Sequence, residues 1–107
     1  MVESNLALDL IFGALADATR RDILKRVSTE EYTISQLAKP YAMSLAAIAK
    51  HISVLEKAGL VTKCRSGKEK VVQIAPKTLE VAAEYLSEYE KVWSARFEAL
   101  EKLVEED

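Results

Sequence analysis

The stretch from Ser44 to Gly59 constrains this chain more than any other, because it carries the start and stop signals of a helix and two unlike faces. Ser44 is a favourable N-cap, since its hydroxyl can accept a backbone N–H that the first turn leaves unpaired. Gly59 suits the left-handed residue that follows a helix end. Apolar side chains recur between them at helical spacing and predict one buried stripe: Leu45, Ile48, Ile52 and Leu55.

The opposite side of this predicted helix is narrow, small and cationic. It has no carboxylate and consists of Ala46, Ala47, Lys50, Ser53 and Lys57. A solvated helix face more usually mixes both signs of charge, whereas a slim cationic face can enter the major groove of DNA. We therefore interpret the segment as a helix that packs on a core through one face and contacts DNA through the other.

The distribution of charge supports this interpretation. The whole chain has a net charge of −2. Residues 32–77 carry eight basic and two acidic side chains, a net charge of +6, whereas residues 78–107 carry three basic and nine acidic ones, a net charge of −6. DNA responds to the local potential within a Debye length of about 8–10 Å, so an acidic average does not argue against binding. The basic block favours a nucleic-acid interface over a chance grouping of solubilising lysines.

Two helices are predicted before this block. Residues 5–16 form the first, and its apolar content exceeds what one neighbour would bury, so part of it is expected to face another subunit. The residues expected there are Leu8, Ile11 and Phe12. Asp17 is predicted to cap the second helix, from Ala18 to Val27. The inner face of that helix is Ile23, Leu24 and Val27, and its cations are expected outside or at the edge: Arg20, Arg21, Lys25 and Arg26.

A short helix and a tight connector precede Ser44. After a polar loop at residues 28–32, Thr33 and Gln36 form a capping box that opens a helix from Ile34 to about Lys39. Pro40 ends it, since the residue before a proline avoids the helical region. Two helices joined by so short a connector predict a helix-turn-helix.

The hydrophobic period changes after Gly59. Residues 60–65 and 70–74 are strand-like, and Gly67 in the turn between them can take a positive φ. A β-hairpin attached to the second helix of a helix-turn-helix is a wing. Its tip carries three cations that are placed to meet phosphates: Arg65, Lys68 and Lys70.

The last predicted helix is too long for a core of this size. Pro76 suits its first turn, and residues 77–105 contain no breaker, which corresponds to roughly 40 Å of helix. A second copy of the chain is the simplest cover for its apolar side. The residues predicted for a dimer interface there are Leu86, Tyr89, Trp93, Phe97 and Leu100, on a stripe that also contains Leu79, Ala83 and Val104.

These elements predict a mainly α fold with a small β component, a winged helix-turn-helix with a β-hairpin wing and long N- and C-terminal dimerisation helices. We expect a single domain, 1–107, with a DNA-binding core at 17–75 and dimerisation helices at 5–16 and 77–105. The start of the chain has no basic region, and Asp9 interrupts its first apolar run, so neither a signal peptide nor a membrane span is predicted. The lone cysteine, Cys64, excludes an intrachain disulfide and fits a reducing cytoplasm, where we expect the protein.

Two segments resemble the ArsR-type winged helix-turn-helix transcriptional repressors. Leu15–Leu24, L-A-D-A-T-R-R-D-I-L, resembles the opening signature of that family, and Ser44–Val61 resembles its recognition segment. The resemblance covers nearly the whole chain. It implies a symmetric dimer that binds operator DNA, usually as a repressor. The final helix, with its Tyr and Trp residues, resembles that of members without metal sites.

The departures from the family pattern concern metal sensing and one phosphate contact. Metal-sensing members place cysteines in the first helix of the helix-turn-helix, or Asp and His ligands along the final helix. Residues 34–41 and 78–107 contain neither Cys nor His, and the chain has one of each, whereas a transition-metal site needs three or four such ligands. We therefore predict no metal and no cofactor. Ala49 stands where the family usually has Ser, which removes one phosphate contact.

The predicted DNA contacts span the helix and the wing. They are Ser44, Ala46, Ala47, Lys50, His51, Ser53, Lys57, Arg65, Lys68 and Lys70. Lys50 either reads a guanine edge or holds a phosphate. His51 either packs or contacts a phosphate, in preference to a catalytic or metal role. Trp93 and Phe97 either form the dimer core or line an effector pocket.

We interpret the chain as a dimeric, sequence-specific DNA-binding transcriptional repressor. Its partner would be double-stranded operator DNA with two half-sites on an inverted repeat, about 34–36 Å apart. The alternative is a winged-helix protein–protein interaction module that no longer binds DNA. No nucleophile–base pair, phosphate loop or metal cluster points to an enzyme. No pattern in the sequence identifies the operator, the regulated genes, or any small-molecule or protein effector.

Overall fold

The helices begin where the sequence supplies a cap. A computed structural model of the protein describes residues 5–105. The predictions that concern residues 1–4, including the absence of a signal peptide, and the two ends of the predicted 1–107 domain fall outside this range. The elements follow the chain as α1 (Leu6–Leu15), α2 (Ala18–Val27), β1 (Tyr32–Thr33), α3 (Ile34–Ala38), α4 (Leu45–Lys57), β2 (Val61–Ser66), β3 (Glu69–Ile74) and α5 (Pro76–Glu105).

The predicted capping residues are confirmed. The side chains of Asp17, Thr33 and Ser44 each accept a backbone N–H from the first turn of the helix that follows. The Gln36 side chain completes the capping box by accepting the backbone N–H of Thr33 at 2.9 Å. Local hydrogen bonding therefore sets where α2, α3 and α4 begin.

The wing hairpin belongs to a three-stranded antiparallel sheet in the order β1-β3-β2. β2 and β3 pair along their whole length, and Tyr32 and Thr33 of β1 lie opposite Val72 and Val71 of β3. The predicted polar loop at residues 28–32 is therefore wrong at Tyr32. The free edge of β3 needs partners for its backbone groups, and the two residues that lead into α3 provide them.

The core is formed where α2, α3, α4 and the base of the sheet meet. Ile48, Ile52 and Leu55 of α4 are fully buried, as predicted. Leu45 was expected in the same stripe, but 54% of it is exposed. That expectation is wrong because the first turn of α4 extends past the core, where Leu45 lines a surface cleft beside the wing.

The first helix packs on α2 and α4 through a narrow face. Ile11 is only 1% exposed within the single chain, so its expected place in a dimer interface is wrong: its own core already covers it. Leu8 and Phe12 are half-buried, whereas Leu6 and Leu10 are largely exposed. Helical spacing alone cannot tell which neighbour covers an apolar side chain.

The second half of the last helix extends beyond the rest of the described chain. α5 has 30 residues and is about 45 Å long at 1.5 Å per residue. Ala82 is buried and the Tyr85 ring packs 5.8 Å from that of Phe12, but every residue from 88 to 105 is exposed. None of the helices in the described part of the chain is long and apolar enough to cross a membrane.

Gly59 should resist substitution. Its φ is +75°, and an added Cβ would lie 3.1 Å from Oγ1 of Thr78. Gly59→Ala is expected to lower the free energy of unfolding by about 1–2 kcal/mol, since an L side chain is strained in the left-handed region. Urea denaturation measures this loss. Gly13→Ala, in the last turn of α1 with open space around it, is the control and should raise stability by up to about 0.5–1 kcal/mol.

Candidate nucleic-acid interface

The outward face of α4 is the centre of the candidate interface. Because Ile48, Ile52 and Leu55 point into the core, the opposite side faces solvent. Ala46, Lys50 and Lys57 are exposed, and Ala47 and Ser53 are half-buried at its margins. The hydroxyl of Ser44 accepts the N–H of Ala47 at 3.1 Å, which leaves its own O–H available to donate. The predicted residues thus share one surface.

Glu56, the carboxylate on α4, forms an ion pair with a lysine of the wing. Nζ of Lys63 in β2 lies 3.4 Å from Oε1 of Glu56. Such an exposed ion pair adds little to stability. Its consequence is electrostatic, because it balances the negative charge nearest to Lys50, Ser53 and Lys57. The outward face of α4 therefore presents a positive potential to an approaching polyanion.

The wing tip carries the second group of cations. Arg65 lies opposite Lys70 across the hairpin, and Lys68 follows Gly67 in the two-residue turn. Gly67 has φ +63°, as predicted, which suits a turn with glycine at its first central position. All three cations are exposed, so the hairpin holds them together at one end of the domain.

A surface cleft joins the wing to α4. It has a volume of about 370 Å³ and is lined by Thr33, Ile34, Ser35, Leu45, Ala49, Lys68, Glu69 and Lys70. Three of these residues are apolar, and the wing contributes two lysines and the carboxylate of Glu69. The fold thereby brings cations from the hairpin to the first turns of α4, although more than a dozen residues separate them in the chain.

His51 lies at the edge of this face, beside Arg20 of α2 and the residue that caps α2, Asp17. Its Nδ1 is 3.4 Å from Nη1 of Arg20 and 3.8 Å from Oδ2 of Asp17. The backbone N–H of Arg20 donates to the Asp17 carboxylate and lowers the pKa of that carboxyl, against a smaller opposing effect of burial. Asp17 is therefore negative at neutral pH. Arg20 was expected outside or at the edge of α2, and its contact with His51 is absent from the sequence prediction.

A second arginine connects α2 to the first helix of the helix-turn-helix. Nη1 of Arg26 donates to the Leu37 carbonyl at 3.0 Å, at the end of α3, and its guanidinium lies over the rings of Tyr32 and Tyr41. The Tyr41 hydroxyl donates to the Asp22 carboxylate; burial first, and then this bond, raises the pKa of Tyr41. These contacts tie α2 to α3 and to Tyr41 in the connector that leads to α4.

The last helix, α5, has an exposed apolar side. It includes all five residues of α5 that were predicted for a dimer interface, each 49–58% exposed: Leu86, Tyr89, Trp93, Phe97 and Leu100. Val92, Leu103 and Val104 extend the same surface. The hydroxyl groups of Tyr85 and Tyr89 are 3.0 Å apart, and this bond raises the pKa of Tyr85. The single chain leaves this surface, which we call the α5 apolar face, uncovered.

The remaining candidate groups are dispersed. Cys64 is exposed on β2, and its Sγ lies 3.1 Å from Oε1 of Gln73, whose amide donates to Glu31. Between residues 5 and 105, no group of three or more His, Cys, Asp or Glu side chains is arranged to hold a metal ion.

Comparison with known proteins places this geometry among transcriptional regulators. A family model for a helix-turn-helix domain matches residues 15–64. The uncharacterised HTH-type transcriptional regulator YuzN of Bacillus subtilis is 50% identical over 72 residues, covering 60% of this chain and 77% of YuzN.

Two solved structures are similar in fold. The crystal structure of an ArsR family transcriptional regulator, RHA00566, superimposes with a TM-score of 0.78 at 35% identity, covering 88% of this chain and 97% of that protein. The homodimeric winged helix-turn-helix DNA-binding domain Mb0332 from Mycobacterium bovis superimposes with a TM-score of 0.64 at 21% identity, covering 86% of this chain and 94% of that domain. The predicted winged helix-turn-helix fold is confirmed.

Proposed function

The chain belongs to the ArsR family of helix-turn-helix transcriptional regulators, and from this premise we propose that it is a homodimeric repressor of an inverted-repeat operator. The DNA-binding helix-turn-helix and the regulatory class come with the family. The repression, the dimer, the contact residues and the absence of metal sensing are our proposal.

The observation that carries the proposal is that the fold brings two groups of exposed cations together, one on α4 and one on the wing, beside a cleft whose lining has Glu69 as its one carboxylate. In this arrangement α4 lies in the major groove with Lys50, Ser53 and Lys57 toward the DNA. Ala46 and Ala47 leave room for close approach of the helix to the base edges. Because this face has few hydrogen-bonding side chains, much of the sequence preference comes from the shape of the DNA.

The wing holds the phosphate backbone beside α4. Lys68 and Lys70 line the same cleft as Leu45 and Ala49. Arg65 pairs across the same hairpin and adds a third charge. Phosphate contacts of this kind fix the register of the protein on the duplex, while α4 samples the bases.

The α5 apolar face supports a homodimer. Its aromatic and aliphatic side chains are half exposed in the single chain, which is costly for a surface of this length. The fold-related domain Mb0332 is homodimeric. A two-fold axis between two α5 helices presents two copies of α4 to successive major grooves about 34–36 Å apart, as an inverted repeat requires.

Regulation by a directly bound transition metal is not part of the proposal. The chain contains one His and one Cys, fewer than the three or four nitrogen or sulfur ligands of such a site. His51 bonds to Arg20 through Nδ1, and Cys64 lies on the wing.

The test uses an operator selected by the protein from fragmented genomic DNA. Binding is expected to weaken with salt, with a log–log slope of about −0.9 for each phosphate that is neutralised. The double variant Lys68→Ala, Lys70→Ala should reduce the magnitude of that slope by about 2 per subunit, since it removes two phosphate contacts. Fluorescence anisotropy at several salt concentrations measures both slopes.

The matched control is Lys91→Ala, Lys102→Ala, which removes two exposed lysines from α5 and should leave the slope unchanged. Repression is tested with a reporter transcribed from the selected operator, whose output should rise in the wing variant. If no genomic fragment is enriched and the protein instead retains a protein partner, the alternative of an interaction module replaces this proposal.

A further inference from the structure

Arg20 connects the end of α1 to the recognition helix α4. Its Nε donates to the Ala14 carbonyl at 2.6 Å and its Nη2 to the Gly13 carbonyl at 3.1 Å. Its third nitrogen, Nη1, lies 3.4 Å from Nδ1 of His51. One guanidinium thus caps the last turn of α1 and contacts the edge of the DNA-facing helix.

This contact bears on which ring nitrogen of His51 carries the proton. A guanidinium has five N–H donors and no acceptor, so Nδ1 takes part only as an acceptor and the proton is on Nε2. The Asp17 carboxylate at 3.8 Å is too far from Nδ1 to accept a hydrogen bond from it. The contact with Arg20 therefore favours the tautomer that carries its proton on Nε2 over the one that carries it on Nδ1.

We propose that Arg20 is a positioning residue for DNA binding, which holds His51 in the tautomer whose Nε2–H donates to a phosphate oxygen of the operator. Both polar neighbours of the ring, Arg20 and Asp17, approach Nδ1, and among residues 5–105 no protein group bonds Nε2. The ring follows Lys50 at the margin of the exposed face, where backbone phosphates flank the groove. The inference rests on the proposed function.

Two substitutions of His51 test the Nε2–H donor and the Nδ1 contact with Arg20 separately. The amide nitrogen of glutamine reaches about as far as Nε2, whereas the shorter asparagine places its amide near Nδ1 and can still accept from Arg20. His51→Gln is expected to bind the selected operator within about threefold of the wild type, whereas His51→Asn loses about tenfold or more, as for a hydrogen bond to a charged group.

The role of Arg20 is tested by ¹⁵N NMR of the imidazole, which is unambiguous because His51 is the one histidine in the sequence. At neutral pH without DNA, the wild type should show a protonated Nε2 and an unprotonated Nδ1. Arg20→Gln should give a mixture of both tautomers and weaken operator binding. A purely structural role for Arg20 would lower thermal stability and leave the tautomer unchanged.

The outcomes distinguish this inference from the proposed function. If the wild type binds its operator and His51→Asn binds as well as His51→Gln, the donor role of His51 is refuted. The proposed function as a DNA-binding regulator is then unaffected. A wild-type ring protonated at Nδ1, or a tautomer unaffected by Arg20→Gln, refutes the positioning role. If the wild type binds no DNA in the salt-dependent manner described above, both proposals fall together.

Discussion

Replacing Trp93 by glutamate is expected to produce a folded monomer whose affinity for the operator falls by roughly 100-fold or more, because it places a charge in an apolar interface. Trp93 lies near the middle of the α5 apolar face, 56% exposed, with its ring 6.1 Å from that of Phe97. Sedimentation equilibrium measures the mass, and fluorescence anisotropy measures the affinity.

The loss of affinity follows from geometry. A dimer that spans two half-sites combines the contacts of two α4 helices, whereas a monomer has one and must meet the second half-site as a separate event. The substitution changes neither α4 nor the wing. The monomer should therefore retain its circular dichroism spectrum, and its residual binding should keep the salt dependence of one subunit.

Ser94→Glu is the matched control. It adds the same charge one residue along α5, on the polar side that also carries Lys91 and Glu98. It should remain dimeric and bind the operator as the wild type does. A dimeric Trp93→Glu protein with normal affinity would show that the α5 apolar face does not hold the subunits together.

Helix boundaries could be predicted from the sequence because short-range contacts decide them. Asp17, Thr33 and Ser44 each bond a backbone N–H three residues ahead, so the relevant partners lie within one turn. Gly59 and Gly67 take the positive φ expected of them for a similar reason. The helical spacing of apolar residues also predicted which face of α4 is buried, except in the first turn, where Leu45 is exposed.

The side-chain contacts around the candidate nucleic-acid interface could not be predicted in the same way. Arg20 and His51 are 31 positions apart, and Arg26 reaches carbonyl groups 10 and 11 positions away in the chain. Each arginine was visible only as a cation on the outer edge of α2. Nothing in local spacing indicates which carbonyl groups a long flexible side chain will find after the helices pack.

The spacing of apolar residues also failed to distinguish side chains buried in the core of one chain from those exposed on its surface. Ile11 was expected at a subunit interface but is buried in its own core, whereas Trp93 is exposed. Both lie on apolar helix faces with the same period. The difference arises from α2 and α4, which cover one side of α1, while the second half of α5 extends beyond every other element of the described chain.

Replacing Lys50 by glutamate is expected to reduce operator affinity by about 100-fold or more, while leaving the dimer intact. Lys50 is exposed near the middle of α4, and the change exchanges an attractive charge for a repulsive one against the phosphates. A contact of this kind contributes about 1–3 kcal/mol, and each dimer contains two copies of it. Anisotropy titrations on the selected operator measure the loss.

Lys91→Glu makes the same reversal of charge on the exposed polar side of α5 and should change the affinity by less than about twofold, since α5 is not among the elements proposed to contact DNA. Lys50→Gln distinguishes the two roles of this residue. If Lys50 holds a phosphate, Lys50→Gln weakens binding equally on all selected sequences; if it reads guanine, preference changes at one position of each half-site. Near-wild-type binding by Lys50→Glu would mean that another face of the domain meets the DNA.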